Sequence, residues 1–414
     1  MTKRDRFIEI SLRTDASSSS LPEFNARLPL LMGGPEDAEQ LFASMKALVI
    51  GGGGIGGEIT QHLGRWQIEE LAVVDPKRFK SESLLTHSIP PEAVGESKAF
   101  YAARLAKRLS PRTRVFALEG MFESLSLSDL ARFDVVFLAT DGLLAEVQVS
   151  QACLSLGIPV VQGSVHGESL CGHVRFFGHG GPEAPCAACG FTREEWSHLN
   201  RSTVFSCEGL DAKRTTAASE PTMSLSPLCS LIAQLALLQY ARDRLGLGVP
   251  VRDTVLEYCA YTHQTVVTKL HRNADCPCDH VTLRRTAPPR PLAECSLDDL
   301  EQAAGASENG DGAVSFEVEN SIWADRARCQ CGEWRPLGQF VSRAAASVGR
   351  CRKCHGMMTV HPFHSYRLVP ASAVEFFRNQ SLGELGASGI RWAVVRCNGR
   401  AALFLNAAQT EGQS

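Results

Sequence analysis

No apolar run in the 414-residue sequence reaches the ~18 residues of a membrane-spanning helix. The opening stretch, MTKRDRFIEISLRTD, has no apolar core of the secretory kind. Both absences lead to the expectation of a cytoplasmic protein with no membrane partner. An excess of one charge is missing too: 42 Lys and Arg stand against 45 Asp and Glu, and the net charge is −3. Nucleic-acid binders are basic, so no nucleic-acid partner is expected. No internal repeat runs through the chain. What remains is an ordinary globular composition, 44% hydrophobic and 21% charged, long enough for one large domain and a smaller one.

Cysteine is plentiful, at 15 residues. Cytoplasmic thiols stay reduced, so this number points to metal ligands and reactive thiols rather than disulfides. Cys186 and Cys189 stand in PCAACG, and Cys276 and Cys278 in LHRNADCPCDH. A pair from each of two separated segments is how a structural zinc is held, with four thiolates closing a tetrahedron. His280 is a substitute ligand. A second set follows the same logic, with Cys329 and Cys331 as C-x-C and Cys351 and Cys354 as C-x-x-C. Zinc is expected at both. Cys153, Cys171, Cys229 and Cys259 lie in apolar segments and read as packed core thiols.

Apolar strands are expected at 47–50, 70–74, 114–118, 134–139 and 158–162, with helices between them at 54–66, 96–109, 126–132 and 144–156. This alternation predicts an α/β, Rossmann-like, mostly parallel sheet with helices on both faces. A strand at 168–178, a hairpin at 254–271 and a long apolar helix at 226–245 follow. The expected boundaries are an N-terminal extension to 45, a nucleotide domain with the first zinc site over 46–281 and a linker over 282–319. A small zinc-stabilised module over 320–366 and a β-rich tail over 367–414 complete the chain. The tail holds two strands about an Asn-Gly turn.

ALVIGGGGIGG carries Gly51, Gly53 and Gly56 in a G-x-G-x-x-G turn between strand and helix, where backbone N–H groups approach phosphate. Asp75 closes the next strand, where a carboxylate grips ribose hydroxyls. From this motif alone an NAD- or FAD-dependent oxidoreductase is the first candidate.

The order of motifs over about residues 45 to 281 resembles the ubiquitin-activating-enzyme-like adenylyltransferases (the ThiF, MoeB and HesA type). VIGGGGIGG, Asp75, GESKA with Lys98, DVVFLATD ending at Asp141, the Cys186/Cys189 pair, the loop around Cys207 and RNADCPC fall in the family's order. The resemblance implies adenylation of the C-terminus of a ubiquitin-like or sulfur-carrier protein by ATP. It implies ribose binding by Asp75, phosphate neutralisation by Lys98, Mg²⁺ at Asp141 and a thioester at Cys207. It also implies a homodimer and, through the C-terminal extension, a possible conjugating enzyme as partner. Relatives carry an asparagine and an arginine where this chain has Ser83 and Thr86, and again where it has Gly142 and Glu146. A catalytically silent scaffold subunit is therefore an alternative. Lys77, Arg78 and Lys80 are candidates to supply the missing charge.

Overall fold

The computed structural model describes residues 6–11, 38–140, 142–178, 180–196, 225–305, 314–342, 347–360, 365–397 and 400–406. The chain divides into two compact units, one of residues 1–125 and 129–280, the other of 126–128 and 281–414.

The first unit is built on β1 (Ile8–Glu9), β2 (Lys46–Ile50), β3 (Glu70–Val74), β4 (Arg114–Leu118), β5 (Val135–Leu138), β6 (Val160–His166), β7 (Cys171–Phe177), β8 (Thr254–Cys259) and β9 (Gln264–Lys269). They form one nine-stranded sheet in the order β1-β4-β3-β2-β5-β6-β7-β8-β9. The run from β4 to β6 is parallel, and β1 and the β7–β9 ribbon are antiparallel to their neighbours. KALVI, ELAVV and VVFL are apolar without alternation because parallel strands are covered on both faces. The covering helices are α1 (Ala38–Ala43), α2 (Gly54–Arg65), α3 (Ser83–Thr86), α4 (Lys98–Leu109), α5 (Leu143–Leu156) and α6 (Ser226–Leu245).

Helix α2 buries Ile55, Ile59 and Leu63 at a four-residue spacing that keeps one stripe on the core. Helix α4 presents only alanines inward, which lets it approach closely; a Cβ on Gly64 of α2 would meet the Ala106 carbonyl at 2.9 Å. Helix α6 buries Ile232, Ala233, Ala236, Leu237 and Tyr240 in the same core. It stops at Gly246, whose φ of 64° ends a helix without steric cost. No helix of the described residues is long and apolar enough to cross a membrane.

The second unit holds β10 (Arg284–Thr286), α7 (Leu297–Ala304), β11 (Ser315–Val318), β12 (Ser321–Cys329), β13 (Trp334–Ser342), β14 (Ser347–Arg350), β15 (Met357–Val360), β16 (Ser365–Tyr366), β17 (Val369–Pro370), β18 (Trp392–Cys397) and β19 (Arg400–Leu405). One sheet runs β10-β19-β18-β11-β17; the other runs β13-β12-β15-β14, with β16 on β12. Residues 282–319, expected as a linker, are instead part of this unit. β10 pairs with β19, β11 pairs with β18, and Leu292, Leu297 and Leu300 are buried. The prolines that suggested a break follow β10, an edge strand, where proline is tolerated. Helix α7 carries a reciprocal cap, Ser296 to the Asp299 N–H and Asp299 back to the Ser296 N–H. The segments 320–366 and 367–414, read as separate modules, share one core around Trp323, Phe340, Val369, Leu382 and Phe404. The tail strands pair as expected; their Asn-Gly turn lies outside the described residues.

Candidate functional site

Strand β2 lies between β3 and β5, which leave it in opposite directions, so the loop after Ile50 opens at the point where the strand order reverses. Two glycines there admit no substitute. Gly51 has φ +97°, and a Cβ on it would lie 2.3 Å from the Ala139 carbonyl oxygen. A Cβ on Gly56 would lie 1.8 Å from the Gly51 carbonyl oxygen. Gly53 caps α2 without a side-chain hydrogen bond, which leaves first-turn N–H groups and the positive end of the helix toward the cleft.

Asp75, 5% exposed, follows β3 directly. Its Oδ2 accepts the Gly52 N–H and its Oδ1 the Lys77 N–H, both at 2.7 Å. Burial pushes this carboxyl upward, while the two N–H donors and the Lys98 ammonium oppose that shift. Lys98 opens α4, and its backbone packs 3.1 Å from the Cβ position of Gly52. The sequence thus brings Gly51, Gly53, Gly56, Asp75 and Lys98 to one place. Asp141 and Cys207 lie outside the described residues.

His87, at the end of α3, is the residue the sequence reading missed. Its Nε2 lies 3.3 Å from Lys98 Nζ, and its Nδ1 is 2.7 Å from Thr86 Oγ1. The ring meets Phe79 edge to face, with centroids 5.5 Å apart, and joins Gly52, Gly53, Gly54 and Tyr101 in lining the cleft. Burial and then the Lys98 charge lower its pKa to about 4, so the ring is neutral at pH 7 and can accept from the ammonium. The only sequence signal was position, twelve residues after the strand-end acid Asp75 and just after Thr86. Two of the proposed charge donors are engaged elsewhere: Arg78 forks onto Glu119 at 2.8 and 2.9 Å, and Lys80 faces Glu82 at 3.6 Å. Ser83 accepts the Lys80 N–H.

The first metal candidate unites Cys186, Cys189, Cys276 and His280, whose ligand atoms lie within 4.8 Å of one another. Cys278, expected as the fourth ligand, packs against this cluster and contacts Cys186, outside the four-atom group. His280, the substitute ligand, is 6% exposed, and its Nδ1 is 3.0 Å from the Ala184 carbonyl. That contact turns Nε2 to within 3.7 and 3.6 Å of the Cys186 and Cys189 sulfurs. An orienting hydrogen bond on the far ring nitrogen is usual for a ligating histidine. The Cys186 and Cys276 sulfurs are 3.7 Å apart, close to the ~3.8 Å edge of a tetrahedron with zinc–sulfur bonds of about 2.3 Å. The donor set therefore fits zinc. Cys329, Cys331, Cys351 and Cys354 gather in the same way, with Cys331 and Cys351 at 3.7 Å and Cys329 and Cys354 at 3.3 Å. No disulfide joins the described cysteines. Cys153 and Cys229 are buried, as expected of core thiols, and burial pushes the Cys153 thiol upward; Cys171 and Cys259, expected with them, are only half-buried on β7 and β8.

A switch-point glycine loop, a strand-end acid and the lysine that opens α4 meet at one end of a mostly parallel α/β sheet. The chain belongs to the ThiF family, which it matches over residues 25–278. It is 26% identical to the sulfur carrier protein adenylyltransferase of Thermus thermophilus over 266 residues, 63% of this chain and 91% of that protein. It is 22% identical to the molybdopterin-synthase adenylyltransferase of Escherichia coli over 264 residues, 63% of this chain and 97% of that one. The SAMP-activating enzyme E1 of Haloferax volcanii is 29% identical over 163 residues, 38% of this chain and 57% of that protein.

Proposed function

We propose that the chain uses ATP to adenylate the C-terminal carboxylate of a small ubiquitin-like or sulfur-carrier protein, and that Cys207 then captures the acyl group as a thioester. The convergence of the Gly51–Gly56 loop, Asp75 and Lys98 on one cleft supports this reading, in a family whose similar members are adenylyltransferases. A carboxylate oxygen of the carrier attacks the α-phosphorus, the bond from that phosphorus to the bridging oxygen breaks, and pyrophosphate leaves with the electron pair. Asp75 holds the ribose hydroxyls on its remaining lone pairs. Lys98 and the first-turn N–H groups of α2 stabilise charge as it moves onto the departing oxygens. Asp141 would hold Mg²⁺, which would supply positive charge to offset that on the leaving pyrophosphate. The Cys207 thiolate displaces AMP in the following step. Structural zinc on Cys186, Cys189, Cys276 and His280, and on the four cysteines of the second unit, belongs to the same reading, as does a homodimer.

One observation favours a silent binding subunit instead. Arg78, the arginine nearest in sequence to the one that Thr86 displaces, is held in a two-pronged pair by Glu119 rather than turned to the cleft. Calorimetric titration with Mg-ATP and, separately, NAD decides between these. Micromolar Mg-ATP binding that Asp141→Ala and Lys98→Ala abolish is expected, with pyrophosphate exchange once a carrier is supplied. Absence of Mg-ATP binding by folded protein would refute adenylation, and binding of NAD alone would favour an oxidoreductase.

A further inference from the structure

The whole-chain charge conceals a local one. Residues 321–360 carry seven Lys and Arg against two Asp and Glu, in a chain whose net charge is −3. The register of the β13-β12-β15-β14 sheet places three of these arginines on one side. Arg328 sits opposite Trp334 on β13 and Thr359 on β15, and Met357 sits opposite Arg350 on β14. Cross-strand partners share a face, as do residues two apart on one strand. Arg326, Arg328, Trp334, Arg350, Met357 and Thr359 therefore lie together, and all are exposed. Ala327, Cys329 and Met358, on the opposite side, are buried.

The other arginines of this unit that show how such charges are usually handled are paired: Arg290 with Asp299, Arg378 with Asp298 and Glu301, Arg391 with Glu319. Arg326, Arg328 and Arg350 have no ion-pair partner among the described residues. Arg328 lies 5.2 Å from the Trp334 ring centroid, and that indole is 42% exposed. The acids of the same stretch stand off the sheet face or are engaged: Asp325 takes the Trp323 indole N–H at 2.7 Å, and Glu333 precedes β13. Arg352 and Lys353, exposed between Cys351 and Cys354, add to the positive field.

Arginine, tryptophan and methionine are enriched at protein–protein interfaces as well, but lysine and acids are depleted there and the interface core is apolar. A face with several guanidiniums and the Arg352–Lys353 pair beside it is closer to nucleic-acid interfaces, which are polar and strongly positive. A sheet with an exposed indole suits unpaired bases, whereas the major groove of a duplex takes a helix or a narrow ribbon. We propose that the exposed face of the β13-β12-β15-β14 sheet binds single-stranded nucleic acid, with the arginines on phosphates and Trp334 stacked on a base. This binding draws on the second unit alone and is independent of adenylation.

The test is fluorescence anisotropy of a fluorescein-labelled oligothymidylate of about 20 nucleotides, titrated with the full-length protein. Binding is expected at about 50 mM salt and weakens by roughly 20- to 100-fold at about 200 mM, as release of a few counterions requires. Trp334→Ala weakens it at least about fivefold, and the Arg326→Glu/Arg328→Glu double variant abolishes it, both at unchanged zinc content. Should Trp334→Ala alter zinc content, the arginine variant decides. Absence of binding at low salt, or wild-type affinity in the arginine variant, overturns the proposal. Displacement by poly-L-glutamate as effectively as by unlabelled oligonucleotide also overturns it, in favour of an acidic protein surface.

Discussion

His87 makes the nucleotide cleft pH-sensitive in a calculable direction. Its pKa is lowered to about 4 in the folded chain, against about 6.5 unfolded. The folded ring therefore stays neutral while the unfolded ring takes a proton as pH falls below 6.5. Stability from this residue is full above that value and is lost progressively down to pH 4. At pH 5.5 the unfolded ring is about nine-tenths protonated, which costs the folded state about 1.4 kcal/mol relative to pH 7.5. Replacement His87→Gln keeps an acceptor for Lys98 and a donor for Thr86 but cannot titrate. Urea unfolding of the first unit, followed by amide exchange in the peptide over residues 46–74, is measured for both proteins at the two pH values. The wild type should lose about 1.4 kcal/mol more than the variant on acidification. Equal losses, or a His87 resonance titrating near 6.5, would refute the placement of this ring against Lys98.

Two adjacent glycines of α2 separate cleanly: Gly56→Ala, with a Cβ 1.8 Å from the Gly51 carbonyl oxygen, should abolish Mg-ATP binding and lower the melting temperature of the first unit. Gly57→Ala, whose nearest neighbour is 3.8 Å away, should bind normally and gain about 0.5–1 kcal/mol. Metal analysis of the purified protein should give two zinc equivalents; Cys186→Ser and His280→Ala each remove one, and Cys278→Ser removes none. Trp323→Ala, at a side chain 0% exposed, should destabilise the second unit by about 3–5 kcal/mol in denaturant melts.

The parallel core was legible because its strands need apolar side chains on both faces. KALVI, ELAVV and VVFL therefore carry no competing signal, and each expected strand formed. Gly51, Gly56 and Asp75 were legible for a related reason: backbone geometry, not packing, fixes what can stand there. His87 was not, because its role depends on a four-residue helix that aims the ring at Lys98, and no periodicity reports such an aim. Cys278 and His280 are two residues apart, and either could turn inward. The Ala184 carbonyl, 96 residues away in sequence, is what holds the His280 ring toward the sulfurs. The segment 282–319 misled because proline near an edge strand and proline in a linker have the same composition.

With a metal on Cys186, Cys189, Cys276 and His280, the chain from residue 189 to 276 becomes a closed ring containing α6, β8 and β9. Releasing one end of such a ring in the unfolded state restores about 4 kcal/mol of chain entropy. The ring also changes what a broken backbone means. A single cut anywhere between its anchors leaves two polypeptides still clasped by the same ion, so the fragments part only when a chelator and a denaturant act together.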